Sequence, residues 1–525
     1  MTGRQLEQAM TNSRGVKGVV AFLPSNIPNC FARLMHFFFV SGYRKVDALK
    51  LMLSIKLIRP FMSVISRASL NPPMVSQNII HPHVEAAGPQ YKAKDAGHQH
   101  YHAGLSKPSW STDQAASQID RRQRRLQDRN YDKVLRLGYT FREVASGETR
   151  FNQTQQEQAR LSMRSWADVA NIEFEEEAGA PEGQLRFVNS AEPNVADAAF
   201  SEHSGRVRLN SHHWVNRAPT VNGYGRHTLT HEIGHLLGAA HTGDYDASRG
   251  PSNYREHAIF AEDSRAYSVM SYFDASNTGH DHQGEYASGP LMTDIAWAQK
   301  AYGANYSTRN TDTTYGFNSN TRRDDLSLVS PRDAAVFCVW DGGGNDTLDF
   351  SGYHQNQVIN LRAESFSDVG GMKGNVSIAR GVTLENAVGG SGADVLIGND
   401  AGNRLKGGGG ADHLWSGAGR DTFEYENATD STLYHPDVLK DFVTGEDKVD
   451  ISRLLRKHGL KDLTFVNRLS GRPGEAGLGY DPQKNESWLV LDLTGNGEID
   501  FYLESHGRIA LSDIVMGVPV KHRYV

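Results

Sequence analysis

Apolar residues recur at two different periods along this chain, and the change of period divides it. In QEQARLSMRSWADVAN the residues Ala159, Met163, Trp166 and Val169 fall at helical spacing, which predicts an amphipathic helix with one buried stripe. GQLRFVNS and GRVRLNS alternate apolar and polar positions and predict short strands with one face in a core. A third segment, LTHEIGHLL, is again helical. At about 100° per residue, Ile233, Leu236 and Leu237 lie within about 80° of Leu229, whereas His231 and His235 sit together at about 200–240°. One face is expected in the core, and the other presents two imidazoles one turn apart. Helices mixed with a few strands up to about residue 300 predict an α/β or α+β domain.

From Gly389 to Glu424 the period becomes nine. GGSGADVLI, GNDAGNRLK, GGGGADHLW and SGAGRDTFE follow in unbroken register, with a large apolar residue at Leu396, Leu405, Leu414 and Phe423. Each approximates G-G-x-G-x-D-x-U-x, which predicts a parallel β-roll. Glycines permit left-handed turns, the sixth residue offers an oxygen, and the apolar residue points into a narrow core. Two repeats complete one coil, so Asp394 is expected to stack with Asp412 and Asn403 with Asp421. Carboxylates and turn carbonyls converging from stacked turns suit Ca²⁺. A flexible glycine linker explains the glycines but neither the register nor the apolar positions. WDGGGNDTLDF at 340–350 reads as a degenerate copy that opens the roll.

The candidate chemistry lies in HEIGHLLGAAH, His231 to His241. Two histidines at i and i+4 can share one metal, and the glutamate beside the first can reach water at it. Gly238 stands where a left-handed residue would end the helix and swing His241 back as a third ligand. The string fits H-E-x-x-H-x-x-G-x-x-H, the metzincin zinc signature. AYSVMSYFD supplies the methionine turn of that group, with Met270 beneath the metal and Tyr272 two residues on.

Composition adds two constraints. Of a formal net charge of −6, residues 1–70 carry ten Lys or Arg against two acidic residues, leaving about −14 on the remainder. That argues against a nucleic-acid partner and fits a chain that binds cations. Cys30 and Cys338 are the only cysteines, so there is no disulfide framework. The N-terminal stretch GVVAFLPSNIPNCFARLMHFFFVSGYRK is broken by Pro24, Pro28 and Arg33, so no membrane span is expected. It lacks the clean apolar centre of a secretory signal, which leaves a basic membrane-surface segment, part of a removable leader, or translation from a start codon placed too far upstream, the last two being favoured. Residues 70–106 read as a linker or prosegment.

The combination of HEIGHLLGAAH, SVMSY and the nonapeptides, with KPSWSTDQAA, YGFNSNT, WDGGGNDTLDFSGY, SFSDVGGMKGNVSIARGVTLENAVGGSGAD and DFVTGEDKVDIS, resembles the serralysins, secreted zinc endopeptidases of Gram-negative bacteria. The likeness covers about residues 107–515. It implies an α+β metzincin-type zinc protease domain followed by an all-β parallel β-roll domain. The expected divisions are an extension and prosegment at 1–106, a catalytic domain at 107–305, and a calcium-binding roll with C-terminal secretion domain at 306–525. One catalytic Zn²⁺ and several structural Ca²⁺ ions are implied. Carried over by position, His231, His235 and His241 ligate zinc, Glu232 is the acid/base, and Tyr272 approaches the metal and swings away for substrate. The calcium positions so implied are Arg309, Thr311, Thr313, Asp341, Gly343, Gly344, Asp346, Thr383 and Glu385. Within and after the repeats they are Gly390, Gly392, Asp394, Asn399, Ala401, Asn403, Gly407, Asp412, Asp421 and Asp430. Thr311 stands where the family pattern has glycine. Asp513-Ile514-Val515 resembles the family's type I export ending, but MGVPVKHRYV follows it.

The expected partners are protein or peptide substrates and type I secretion machinery, with no nucleic acid, no stable membrane insertion and a monomeric state. The rival reading is a non-enzymatic calcium-binding surface protein or adhesin; an astacin-like enzyme accounts for the zinc string but not for the nonapeptides. His98, His100 and His102, like His280 and His282 in GHDHQ, read as solvent-exposed residues without a metal role. LTGNGEID, Leu493 to Asp500, reads as a hairpin turn.

Overall fold

The computed structural model describes residues 107–123, 125–177, 179, 182–201 and 203–517. The expected extension 1–106, with Cys30, His98, His100 and His102, lies outside the described residues, as does the tail from 518. Among the described residues no helix is long and apolar enough to cross a membrane.

Ser111 opens the first helix, α1 (Thr112–Ile119), through a capping box with Gln114, satisfying two otherwise orphaned amides. The long amphipathic stretch forms α2 (Gln153–Val169), capped the same way by Asn152 and Gln155. Its predicted stripe of Ala159, Met163, Trp166 and Val169 is buried. The strands are β1 (Leu135–Thr140), β2 (Glu148–Arg150), β3 (Ile172–Glu176), β4 (Gln184–Ser190), β5 (Ala196–Phe200) and β6 (Ser204–Asn210). They form one sheet in the order β3-β1-β4-β6-β5, with β2 also paired to β4. β1, β3, β4 and β6 run parallel, and β5 closes one edge antiparallel to β6. Helices α3 (Tyr224–Leu236) and α4 (Met292–Tyr302) complete an α/β region. Trp166 of α2 meets Trp297 of α4 edge to face at 5.9 Å and donates its indole N–H to the Thr230 carbonyl of α3 at 3.0 Å.

Beyond Thr314 the chain coils into short, mostly parallel strands. One sheet stacks Thr314–Gly316, Thr347–Asp349, Asn386–Val388, Arg404–Lys406, Thr422–Glu424, Lys448–Asp450 and Ile514–Val515. The opposite sheet stacks Val358–Asn360, Val395–Ile397, His413–Trp415, Asp437–Leu439 and Phe501–His506 in parallel. Leu396 lies opposite Leu414 and Leu405 opposite Phe423, all buried, as a coil of two nonapeptides requires. Each buried leucine contributes roughly 2 kcal/mol of apolar transfer. Gly408 and Gly410 show why the turns need glycine. Both have positive φ, and a Cβ on either would come within 2.1 Å of a carbonyl of the preceding coil, Gly390 O or Gly392 O.

Three expectations change or sharpen here. The roll opens one coil earlier than WDGGGND, at Thr314–Gly316, where buried Tyr315 fills the core position; stacking needs one apolar residue per strand, not the glycine signature. His280 and His282 are buried rather than exposed. Their loop docks on the roll through paired backbone bonds between Asp281 and Lys373, a His282 Nε2 contact to Gly374 O at 3.2 Å, and packing of His280 on Phe366. LTGNGEID does join an antiparallel pair, Glu486–Asp492 and Phe501–His506, with Asp492 and Asp500 accepting the turn amides.

One continuous hydrophobic cluster runs from Ala116 to Ile514 through both regions. Arg309 and Arg323 both pair with Asp168 of α2, each at 2.7 Å, tying the start of the roll to the α/β region.

Candidate metal centre

Leu229, Ile233, Leu236 and Leu237 are fully buried beneath α3, which fixes the rotation of the helix and turns His231 and His235 to the opposite face. The helix ends at Gly238, whose φ is +100°. Gly238 N bonds His235 O at 3.0 Å and Ala239 N bonds Gly234 O at 2.9 Å, the pair of bonds of a Schellman ending. Ala240 N then bonds Ile119 O at the end of α1, and the Arg121 guanidinium bonds the carbonyls of His241 and Gly243. The chain is thereby turned back, bringing His241 beside the helix.

The three imidazoles are oriented alike. His231 Nδ1 meets Val269 O at 2.7 Å, His235 Nδ1 meets Ala239 O at 2.7 Å, and His241 Nδ1 meets Tyr245 O at 2.8 Å. A carbonyl only accepts, so each Nδ1 carries the proton and each Nε2 offers a lone pair. One ligand atom from each of the three histidines lies within 4.8 Å of the others, and Nε2 of His235 and His241 are 3.0 Å apart. Two lone pairs facing each other at that distance repel unless a cation lies between them. A tetrahedral zinc with ligands at about 2.0–2.1 Å spaces its nitrogens by roughly 3.3 Å, so the donor set fits. Burial holds all three imidazoles neutral, with His231 well below its usual range, His235 at about 4 and His241 at about 3.

Glu232 is buried next to this cluster. Burial pushes its carboxyl up to about 8, reinforced by Asp197 on β5. The Tyr272 ring lies 4.4 Å from that of His241 and 5.9 Å from that of His231. Burial pushes its hydroxyl up to about 12, so it is a donor at neutral pH.

Two carboxylates that the sequence did not single out hold this arrangement. Asp294 on α4, fully buried, accepts from Val269 N at 2.7 Å, Ser268 Oγ at 2.6 Å and Leu291 N at 2.9 Å; burial pushes it up to about 6. Asp263 accepts from Ser271 Oγ at 2.7 Å and Tyr245 hydroxyl at 2.9 Å, fixing the residue whose carbonyl orients His241. Met270 packs under the helix at Gly234, where a Cβ would stand 2.7 Å from its sulfur and 3.1 Å from Trp166. Asp263 stands five residues before SVMSY, whereas nothing local to that string marks Asp294.

The candidate calcium residues gather in columns. Asp394 accepts from Gly390 N and Gln357 N, while its own amide bonds Asp412 Oδ1 at 2.8 Å. Asp412 N bonds Asp437 Oδ1 at 2.9 Å, extending the column to a residue that the 18-residue spacing did not reach. Gly407 lines this column, since its Cβ would touch Asp412 Oδ2, and Gly392 faces Gln355 O. Asp430 accepts from Glu426 N and Asn427 N and adds negative charge beside Asp412. Across the roll, Asn403 N bonds Asp421 Oδ1 at 2.7 Å, Asp421 N bonds Asp447 Oδ1 at 3.1 Å, and Asn399 O and Ala401 O face Gly417 and Gly419.

Nearer the roll's start, Thr313 N bonds Asp346 Oδ1, Asp346 N bonds Glu385 Oε2, and Gly343 N bonds Asp341 Oδ1. Gly344 lies against Thr311 O and Asp346 Oδ1. The Arg309 guanidinium is engaged with Asp168 and Trp340 O, leaving only its backbone for an ion. Thr383 is exposed two residues before Glu385. Buried Oδ2 atoms of Asp346, Asp412, Asp421 and Asp437 have no hydrogen-bond partner among the described residues.

Residues 304–516 match the family described as Peptidase M10 serralysin C terminal. The chain is 46% identical over 455 residues to the metalloprotease AprA of Pseudomonas entomophila, covering 80% of this chain and 93% of that one. It is 45% identical over 445 residues to serralysin C of Dickeya chrysanthemi, covering 78% and 92%. To the serralysin of Photorhabdus luminescens it is 45% identical over 419 residues, covering 74% and 86%. With identity of this extent across both the α/β region and the roll, the chain belongs to the serralysin family and is a zinc metalloendopeptidase.

Proposed function

We propose that His231, His235 and His241 hold the catalytic zinc and that Glu232 moves the protons of peptide hydrolysis. The observation carrying this reading is the shared orientation of the imidazoles, each Nδ1 bound to a carbonyl and the Nε2 atoms converging. Zinc, when bound, supplies a Lewis acid for the scissile carbonyl and acidifies the attacking water. Glu232, whose carboxyl a cation held by the neighbouring histidines would return to its ionised form, accepts the proton of that water and returns it to the leaving amine. The Tyr272 hydroxyl donates to the carbonyl oxygen as negative charge develops there. β5, the terminal strand of its sheet, offers backbone groups along which an extended peptide aligns.

In this reading 107–305 is a metzincin-type catalytic domain, 306–525 a calcium-binding roll and secretion domain, and 1–106 an extension with prosegment. Calcium fills the carboxylate columns, where unpartnered Oδ2 atoms and turn carbonyls converge. Extracellular calcium modules bind at about 10⁻⁴–10⁻³ M, so the roll locks after type I export, and binding adds to folding stability only outside the cell. The enzyme then acts on extracellular proteins as a secreted monomer from a Gram-negative bacterium. No structural observation favours the non-enzymatic surface-protein alternative. Glu232→Ala is expected to retain zinc and lose casein cleavage; casein cleavage at the wild-type rate would overturn the assignment.

A further inference from the structure

One turn before His231 on α3, an aromatic cluster continues away from the metal-binding imidazoles. His227 stacks on Tyr224 at 6.1 Å and packs against Tyr286 at 5.4 Å, and the two tyrosines are 5.1 Å apart. The Arg265 guanidinium lies over both tyrosine rings, 5.6 Å from Tyr224 and 5.5 Å from Tyr286. Its backbone N–H bonds Phe273 O at 2.8 Å, which places it across from the residue after Tyr272.

The buried Nε of this arginine has no hydrogen-bond acceptor among the described residues. The Arg265 charge acts on Asp274, helping the Ser276 hydrogen bonds to hold that carboxyl below its usual range. Asp274 accepts from Ser276 N and Oγ, and Glu285 is exposed. Tyr224, Arg265, Tyr272 and Tyr286 are all partly exposed, so the clamp is open on one side. Stacking on two rings removes much of the rotamer freedom that an arginine otherwise loses on binding, and orients its planar fork for a carboxylate. His227 and His231 are one helical turn apart, about 6 Å of rise, so the cluster that carries the guanidinium begins one turn from the metal-binding imidazoles, on the scale of a few residues of an extended peptide at about 3.3–3.6 Å each.

We infer that Arg265, held between Tyr224 and Tyr286, is a specificity-determining residue that receives a carboxylate of the substrate, an Asp or Glu side chain close to the cleaved bond. The inference rests on the assignment of the catalytic site at Glu232. A carboxylate there meets a cation already held in place by the two rings, whereas an amide isostere offers that cation only an uncharged acceptor. Charge-assisted contacts of this kind distinguish the two by about tenfold or more.

The test uses the zinc-loaded, calcium-loaded full chain and quenched-fluorescence peptides carrying Glu or Gln in turn at each of the three positions on either side of the bond. The expected result is one position at which kcat/KM favours Glu about tenfold. That ratio falls to about one in Arg265→Gln, is partly restored in Arg265→Lys, and declines with added salt. A ratio near one at every position in the wild type, or a preference that survives Arg265→Gln, overturns the inference. So does an equal loss on Glu and Gln peptides in the variant, which indicates a purely structural role. Failure of the wild type to cleave any of the peptides overturns the site assignment itself, and this inference with it.

Discussion

The carboxylate of Asp294 and the backbone amide of Val269 lie 2.7 Å apart, and the carbonyl of the same valine holds His231 Nδ1 at 2.7 Å. A buried acid on α4 is thus linked through the backbone of one residue, Val269, to a candidate zinc ligand on α3. Removing the acid leaves Val269 N, Leu291 N and the Ser268 hydroxyl unsatisfied. Loss of such outer support typically costs 10–100-fold in metal affinity. Asp294→Ala is expected to weaken zinc binding by about that factor, measured by competition with a fluorescent chelator. Wild-type affinity would remove Asp294 from the account.

Gly234 lies where α3 crosses Met270 and Trp166. Alanine in a helix is ordinarily better than glycine by about 1 kcal/mol. Here the added Cβ meets sulfur at 2.7 Å, and overpacking of this kind costs about 1–3 kcal/mol. Gly234→Ala is expected to lower the denaturation midpoint and displace the methionine turn. A midpoint above wild type would show that the contact has slack.

His280 sits between Tyr267, two residues before Val269, and Phe366 of the roll. Burial lowers its pKa from 6.5 to about 3, with His282 and Lys373 adding to the effect. The unfolded chain therefore binds a proton below about pH 6.5 that the folded chain refuses until about pH 3. Stability is lost as pH falls through that window, by at most about 1.4 kcal/mol per pH unit from one group. His280→Gln is expected to flatten the pH dependence of the unfolding free energy between these limits, read from urea titrations. An unchanged slope would mean that His280 titrates normally in the fold.

Asp412 and Asp437 each bury an oxygen without a partner among the described residues. With calcium present, those oxygens are expected to be ligands. EGTA is expected to lower the melting temperature of the wild type, and Asp412→Asn is expected to shrink the calcium-dependent part of that shift. Scanning calorimetry with and without the chelator checks both. A melting temperature indifferent to EGTA would contradict a calcium-filled roll.

The zinc string was legible because its geometry is local: His231, His235, Gly238 and His241 lie within eleven residues. Its supports were not, because Val269 O and Tyr245 O depend on Asp294 and Asp263, set by contacts distant in sequence. The glycine repeats announced the middle of the roll. Its first strand at Tyr315 and its continuation to Asp437 and Asp447 carry no repeat signature. Asp437 follows Asp412 by 25 residues and Asp447 follows Asp421 by 26, so loops between coils break the period while the ladder persists. The polar string GHDHQ read as exposed, yet the roll covers it from about ninety residues further along. Local polarity does not reveal which loops become an interface.

The most direct test is anomalous X-ray scattering at the zinc absorption edge from crystals of the purified protein. The account predicts one strong peak about 2.0–2.1 Å from Nε2 of His231, His235 and His241. The absence of a peak there, or a zinc peak bound only by other residues, would contradict it.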